Sequence, residues 1–173
     1  MTQAIFGVAG WKNSGKTTLV ERLVAELSTR GHRVATVKHA HHSFDIDHEG
    51  TDSYRHRAAG ATEVAIVSGR RWALVHEIAA DEAEPGLSDI LARLSPCDIV
   101  IVEGYKRDGH QKIEVRRRDA RDTTPLAPDD PTIVAVAADH AIEGEGLPVF
   151  DLDDIPAMAD FVVRTTGLKP APG

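Results

Sequence analysis

Gly10-Trp11-Lys12-Asn13-Ser14-Gly15-Lys16-Thr17 decides how this chain is read. The stretch fits the pattern G-x-x-x-x-G-K-[ST] in full, and its setting fits as well. An apolar run, Ala4-Ile5-Phe6-Gly7-Val8-Ala9, precedes it and reads as a buried strand. After it, Leu19, Val20, Leu23, Val24 and Leu27 recur at helical spacing. Strand, glycine-rich loop and helix in that order make a phosphate-binding loop. Gly10 and Gly15 let the backbone curl so that successive N–H groups face phosphate oxygens, and the helix start adds the positive end of its dipole. Lys16 then reaches the β- and γ-phosphates, and the Thr17 hydroxyl ligates Mg²⁺. The expected ligand is a nucleoside triphosphate.

The rest of the composition is that of an ordinary globular chain. Its 173 residues suit a single domain spanning 1–173. A net charge of −7 argues against non-specific binding to nucleic acid. Cys97 is the one cysteine, so no internal disulfide forms, and its place at the head of an apolar run predicts a buried core thiol. No apolar stretch approaches the length of a membrane span, and no charged-then-apolar leader is present. The expected setting is the cytoplasm, with no membrane partner.

Gly31 is placed to end the first helix, and residues 33–37 read as the next strand, ending in Lys38-His39. These two strands are expected to run parallel, as a β–α–β unit requires. Residues 39–48 form a polar loop dense in His and Asp. A short helix over 51–59 follows, then strands at 63–67 and 72–76 joined by Ser68-Gly69-Arg70-Arg71, an antiparallel hairpin. Leu87, Ile90, Leu91 and Leu94 mark another helix, capped near Ser88 and stopped before Pro96. Ile99-Val100-Ile101-Val102 is continuously apolar, which predicts a strand buried on both faces. Residues 112–117 alternate apolar and charged side chains and read as a half-exposed strand. Further strands are expected at 132–137 and 149–150, a helix near 155–162, and a frayed tail over 169–173. The fold class is α/β: a mostly parallel central sheet with helices on both faces, plus an antiparallel hairpin extension.

A phosphate-binding loop needs an acidic group near Mg²⁺, normally at the end of a buried neighbouring strand. Glu103 ends the strand 99–102 and is preferred, because ligands of open α/β sheets bind outside the carboxyl ends of strands. Asp98 is the rival and sits at the other end. The histidine-rich loop offers His39, His41, His42, His48, Asp45 and Asp47. A structural zinc site there lacks standard ligand spacing and a nearby cysteine. The loop reads better as the mouth of the nucleotide site, with Asp45 and Asp47 able to place Mg²⁺-bound water. Arg70-Arg71 and Arg116-Arg117-Arg118 are basic runs that suit an anionic ligand, a partner's acidic patch or plain surface charge. Asp139 follows a strand and offers an acceptor-only carboxylate to the N1–H and N2–H₂ donors of guanine.

Several segments together resemble the molybdopterin-guanine dinucleotide biosynthesis adapter (MobB) family. They are residues 10–18, Val37-Lys38-His39 with His41-His42, Phe44-Asp45-Ile46-Asp47, Gly50 with Asp52-Ser53, Ala58-Ala59-Gly60-Ala61, and Val102-Glu103-Gly104-Tyr105-Lys106. The last of these carries Tyr where Phe is also common in the family. The resemblance implies a P-loop NTPase fold of the kinase-like and regulatory GTPase group. It implies GTP with Mg²⁺ as the bound species, weak hydrolysis, and a homodimer to which the strands at 63–67, 72–76 and 112–117 contribute. It implies a partner, the guanylyltransferase MobA, that joins GMP to molybdopterin, with molybdopterin itself a further candidate ligand. On this resemblance Gly10, Asn13, Ser14, Gly15, Lys16, Thr17 and Thr18 cradle phosphate and Thr17 and Glu103 hold the metal. Lys16 and Glu103 serve any catalysis, His39 lies at the mouth and Asp139 meets guanine. The alternative from another class is a P-loop small-molecule kinase, with the basic runs as lid arginines and Asp45 or Asp47 as base. A third is a scaffold independent of nucleotide.

Overall fold

Six parallel strands form the sheet that carries the quoted loop. They are β1 (Ala4–Ala9), β2 (Val34–Lys38), β5 (Ile99–Glu103), β6 (Lys112–Arg116), β7 (Ile133–Ala138) and β8 (Val149–Asp151), in the spatial order β2-β5-β1-β6-β7-β8. Every pairing is parallel, so all six carboxyl ends share one edge. The remaining elements are α1 (Lys16–Thr29), α2 (Asp52–Ala58), the antiparallel pair β3 (Glu63–Val67) and β4 (Trp72–His76), α3 (Leu87–Arg93) and α4 (Ile155–Thr166). This computed structural model describes residues 3–40, 46–144 and 146–169. The tail over 170–173 therefore lies outside the described residues.

The chain groups into two compact units, Met1–His39 with Ile90–Gly173, and Ala40–Asp89. In the first, α1 buries Leu19, Leu23 and Leu27, and α4 buries Met158, Ala159 and Val162. Both helices join Phe6, Val8, Ile99, Ile101, Ile113 and Val115 in one core. The apolar faces are long enough to hold the helices down by burial, at about 25 cal/mol per Å² removed from water. Gly31 takes φ 88° just past α1, as its sequence position predicts. Asp154 caps α4 by accepting from the Ala157 N–H, and Gly167 closes it in the left-handed region. Arg30 to Asp160 and Arg22 to Asp153 tie the ends of the two helices together.

β1 and β2 run parallel as expected, yet they are not neighbours. β5 is inserted between them and pairs with both. β6 departs from its sequence reading. Its alternation predicts a half-exposed strand and the family resemblance implies a part in a dimer, but it lies between β1 and β7 with Lys112, Ile113, Glu114 and Val115 all buried. The charged residues face away from the α1–α4 core and are satisfied internally. Lys112 Nζ donates to the carbonyls of Asp108 and His110 and to Thr132 Oγ1. Glu114 accepts from Arg116 and from the N–H groups of Leu126 and Ala127 at the 3₁₀ turn Ala127–Asp129. Buried charge is tolerated only with such partners. β6 thus has no free edge to give. Cys97 also departs from expectation: it is only partly buried, and its Sγ accepts from the Gln3 side chain.

The second unit is built differently. α2 starts at Thr51, whose hydroxyl caps the Tyr54 N–H, and packs on β3. Arg57 pairs with buried Asp47 and with Glu77. His76 bridges Glu63 across the hairpin and Glu82 in the following turn. Val64 and Leu87 are its buried apolar residues among those described, while Ile46, Ile66, Val67, Trp72, Leu74 and Ile78 stay exposed.

Candidate functional site

The loop between β1 and α1 takes the backbone its glycines allow. Gly10 has φ 147°, and a Cβ there would stand 2.6 Å from Ser14 Oγ and 2.8 Å from the Val115 carbonyl oxygen. Asn13 at φ 64° and Gly15 at φ 95° complete the curl. Gly15 is the N-cap of α1, and no side chain caps that helix. The first-turn N–H groups are thereby left for an external acceptor, and the helix dipole favours an anion. Ser14 is buried, and its Oγ has no hydrogen-bond partner among the described residues.

Lys16 and Thr17 begin the helix and point to opposite partners. Lys16 Nζ donates to the Trp11 carbonyl at 2.6 Å, folding back over the loop it belongs to. Partial burial pushes its pKa below the ordinary lysine value, the nearby Glu103 carboxylate offsets part of that, and Lys106 and Lys38 add to the lowering. Thr17 Oγ1 lies 3.2 and 3.3 Å from the two carboxylate oxygens of Glu103. Glu103 ends β5, beside β1, and its side chain is 11% exposed. Lys38, its register partner on β2, reaches to 3.5 Å. One hydroxyl and one carboxylate beside an open helix N-terminus are hard oxygen donors. They suit Mg²⁺, which takes one or two protein oxygens and completes its shell with phosphates and water.

Each residue of Glu103-Gly104-Tyr105-Lys106 has a task in the same corner. Gly104 sits at φ 100° with the His39 Cβ 2.7 Å from where its own would be, so a side chain would displace β2's end. The His39 N–H donates to the Glu103 carbonyl at 2.8 Å, and its ring stacks on Tyr105 with centroids 4.7 Å apart. Lys106 lies over the Trp11 ring at 4.6 Å, and the Trp11 indole N–H donates to the Thr124 carbonyl at 2.7 Å. The contacts of Trp11 with Lys106 and with the Thr124 carbonyl were not legible in the sequence, because they span up to 113 positions.

Asp139 sits at the end of β7, on the same edge of the sheet. Its Oδ1 accepts from His140 Nδ1 at 2.7 Å and from the Arg118 N–H at 2.9 Å. Chiefly the His140 contact, and then the Arg118 N–H, holds its carboxyl below the usual range. It borders a cavity of ≈ 430 Å³ lined also by His140, Phe150 and Asp151. Asp98 lies at the opposite end of β5, bound to Arg33 at 3.0 Å. Of the histidine-rich loop, His41, His42 and Asp45 lie outside the described residues. Asp47, expected to place a water or act as a base, is instead buried against Arg57 in the second unit. Among the described residues no three His, Cys, Asp or Glu side chains cluster closely enough to hold a metal ion.

This strand order, with the loop after the first strand and an acid at the tip of its neighbour, defines the P-loop NTPase class. Within that class the chain belongs to the MobB family: the family model for Molybdopterin guanine dinucleotide synthesis protein B matches residues 5–139. It is 37% identical over 161 residues to the molybdopterin-guanine dinucleotide biosynthesis adapter protein of Haemophilus influenzae, covering 91% of this chain and 86% of that one. The Escherichia coli adapter of the same name is 37% identical over 162 residues, with 92% and 91% covered. A crystal structure of molybdopterin-guanine biosynthesis protein B superposes with a TM-score of 0.71 at 28% identity, covering 94% of this chain and 99% of that one. A MobB homologue from Bacillus stearothermophilus gives 0.65 at 30% identity, with 93% and 98% covered. The family role is that of an adapter in molybdopterin guanine dinucleotide biosynthesis. No helix among the described residues is long and apolar enough to cross a membrane.

Proposed function

We propose that this MobB-family chain is a cytoplasmic GTP-binding adapter for MobA, the guanylyltransferase that attaches GMP to molybdopterin. The observation that carries the reading is Thr17 against Glu103 beside the uncapped start of α1. Gly10, Asn13, Ser14, Gly15, Lys16, Thr17 and Thr18 cradle the phosphates with backbone N–H groups and one ammonium. Lys16 exchanges the Trp11 carbonyl for phosphate oxygen. Thr17 and Glu103 hold Mg²⁺, which when bound neutralises charge on the β- and γ-oxygens. Lys16 and Glu103 are the residues through which any slow hydrolysis runs. Asp139, kept ionised and oriented by His140 and the Arg118 N–H, accepts from guanine. His39, stacked on Tyr105, lines the mouth where MobA or its pterin substrate docks.

The chain works as a homodimer through its hairpin. On one face of β3 and β4, Ala65 pairs with Leu74 and Val67 with Trp72, all exposed. Val67 and Trp72 are 75% and 67% exposed, which is unusual for adjacent large apolar side chains and suits a contact with a second copy.

Isothermal titration with GTP, GDP, ATP and ADP, with and without Mg²⁺, tests the nucleotide reading. GTP and GDP are expected to bind, and GTP more weakly when Mg²⁺ is withheld. Lys16→Ala is expected to cost about a hundredfold in GTP affinity, since it removes a charge-assisted contact from a partly desolvated site. ATP binding as tight as GTP binding would sink the guanine assignment.

A further inference from the structure

Three consecutive arginines leave the end of β6, and they meet three different fates. Arg116 turns inward and pairs with buried Glu114 at 2.7 Å. Arg118 is exposed, and its backbone N–H is held by Asp139. Arg117 lies along the phosphate-binding loop. Its Nε is 2.8 Å, and its Cζ and Nη2 are each 3.2 Å, from the point a Cβ on Gly15 would occupy. Among the described residues its guanidinium has no hydrogen bond and no ion pair.

The backbone that presents it is fixed on both sides. Arg116 is in register with Ala138 in the sheet. Two positions on, the Arg118 N–H is bound to Asp139 at 2.9 Å, and the Ala120 N–H closes a turn onto the Arg117 carbonyl at 3.1 Å. An unpartnered cation therefore hangs from a rigid anchor against a loop shaped to receive anions.

The side of approach selects the oxygens. β6 flanks β1 on the side away from β5. Thr17 and Glu103, the residues that would hold a metal, stand on the β5 side. Gly15 belongs to the part of such loops whose N–H groups cradle the α- and β-phosphates, and a guanidinium fork fits two oxygens there at once. The geometry points to Arg117 as a nucleotide-contacting residue that clamps the α- and β-phosphates from the side opposite Thr17 and Glu103. This rests on the nucleotide reading above.

Isothermal titration of the full chain and its Arg117→Ala, Arg117→Lys, Arg121→Ala and Lys16→Ala variants with GTP and GDP tests it. Arg117→Ala is expected to weaken GTP and GDP by the same factor, about tenfold, as for loss of a charged hydrogen bond. Arg117→Lys recovers only part, because an ammonium lacks the planar fork. Arg121→Ala, of equal charge change at an exposed position four residues on, stays within about twofold. The melting temperature of Arg117→Ala matches wild type, since the guanidinium holds nothing in the free protein. The inference is overturned by Arg117→Ala affinities within twofold of wild type. It is also overturned by an equal loss in Arg121→Ala, which would make the effect one of net charge, or by a loss confined to GTP. If wild type binds neither nucleotide, the nucleotide reading falls and takes Arg117 with it. If Lys16→Ala abolishes binding and Arg117→Ala does not alter it, this inference alone falls.

Discussion

The two compact units spend their apolar residues in opposite ways. The parallel-sheet unit hides nearly all of them, down to Phe6, Leu23, Ile101 and Met158 at zero exposure. The 40–89 unit hides few and displays Trp72, Val67 and Leu74 on a two-stranded hairpin. An isolated hairpin is marginal in water, because two strands cannot bury a face between them. The difference teaches where each unit's stability comes from. One is held by its own core. The other buries only Val64 and Leu87 among its described apolar residues, packs α2 on β3 and pairs Arg57 with buried Asp47; on our proposal a second copy of itself covers the rest.

The sharpest way to break the comparison is to truncate one leucine in each unit. Leu23→Ala leaves a cavity under α1 and is expected to cost about 3 kcal/mol in chemical denaturation. Leu74→Ala, at 47% exposure, is expected to stay within about 0.5 kcal/mol when measured at monomer concentrations. Similar losses for both would show that the hairpin is a core in its own right. Next in size is Trp72→Ser. If the hairpin face is the dimer contact, sedimentation should show the dimer dissociation constant raised about thirtyfold, as expected for loss of an aromatic anchor, with circular dichroism unchanged. A wild-type chain that sediments as a monomer at all concentrations would remove the dimer proposal outright.

Much of the first unit was legible because its signals are local. The G-x-x-x-x-G-K-T run, the helical spacing of Leu19, Leu23 and Leu27, and the continuous apolarity of Ile99-Val100-Ile101-Val102 each state their structure within a few residues. Glu103 followed from topology alone, since a parallel strand's end must share an edge with the loop. β6 was misread for a physical reason. Alternation reports polarity, and polarity implies exposure only when no internal partner exists. Lys112 and Glu114 find theirs in Thr132, Asp108, Leu126 and Ala127, 4 to 20 positions away. The role of Gly7 was hidden likewise: a Cβ there would stand 2.6 Å from the His110 ring, a contact no local pattern announces. Asp47 looked like chemistry because it sits among histidines, but its partner Arg57 comes from the next helix and turns it into structure.

The smallest expected effect separates the units by pH, through one histidine in each. His76 in the hairpin unit has its pKa raised, chiefly by Glu63 and then by Glu82. Its stabilisation is fully present below the ordinary histidine value of about 6.5 and is lost as pH rises through the raised folded value. His110 in the sheet unit works in the other sense. Burial lowers its pKa, with Lys112 adding to the effect. Its stabilising neutral form is present above the ordinary value, and that contribution is lost as pH falls through the lowered one. The two trends overlap in a wild-type melting curve, so the informative quantity is the difference between wild type and His76→Gln. That difference should shrink steadily from pH 6 to pH 8.5 and be smaller in high salt, because the ion pairs of His76 are solvent-exposed and screened. A difference that grows with pH would mean that Glu63 and Glu82 do not hold the imidazolium. The hairpin would then be secured by Arg57 and its apolar face alone.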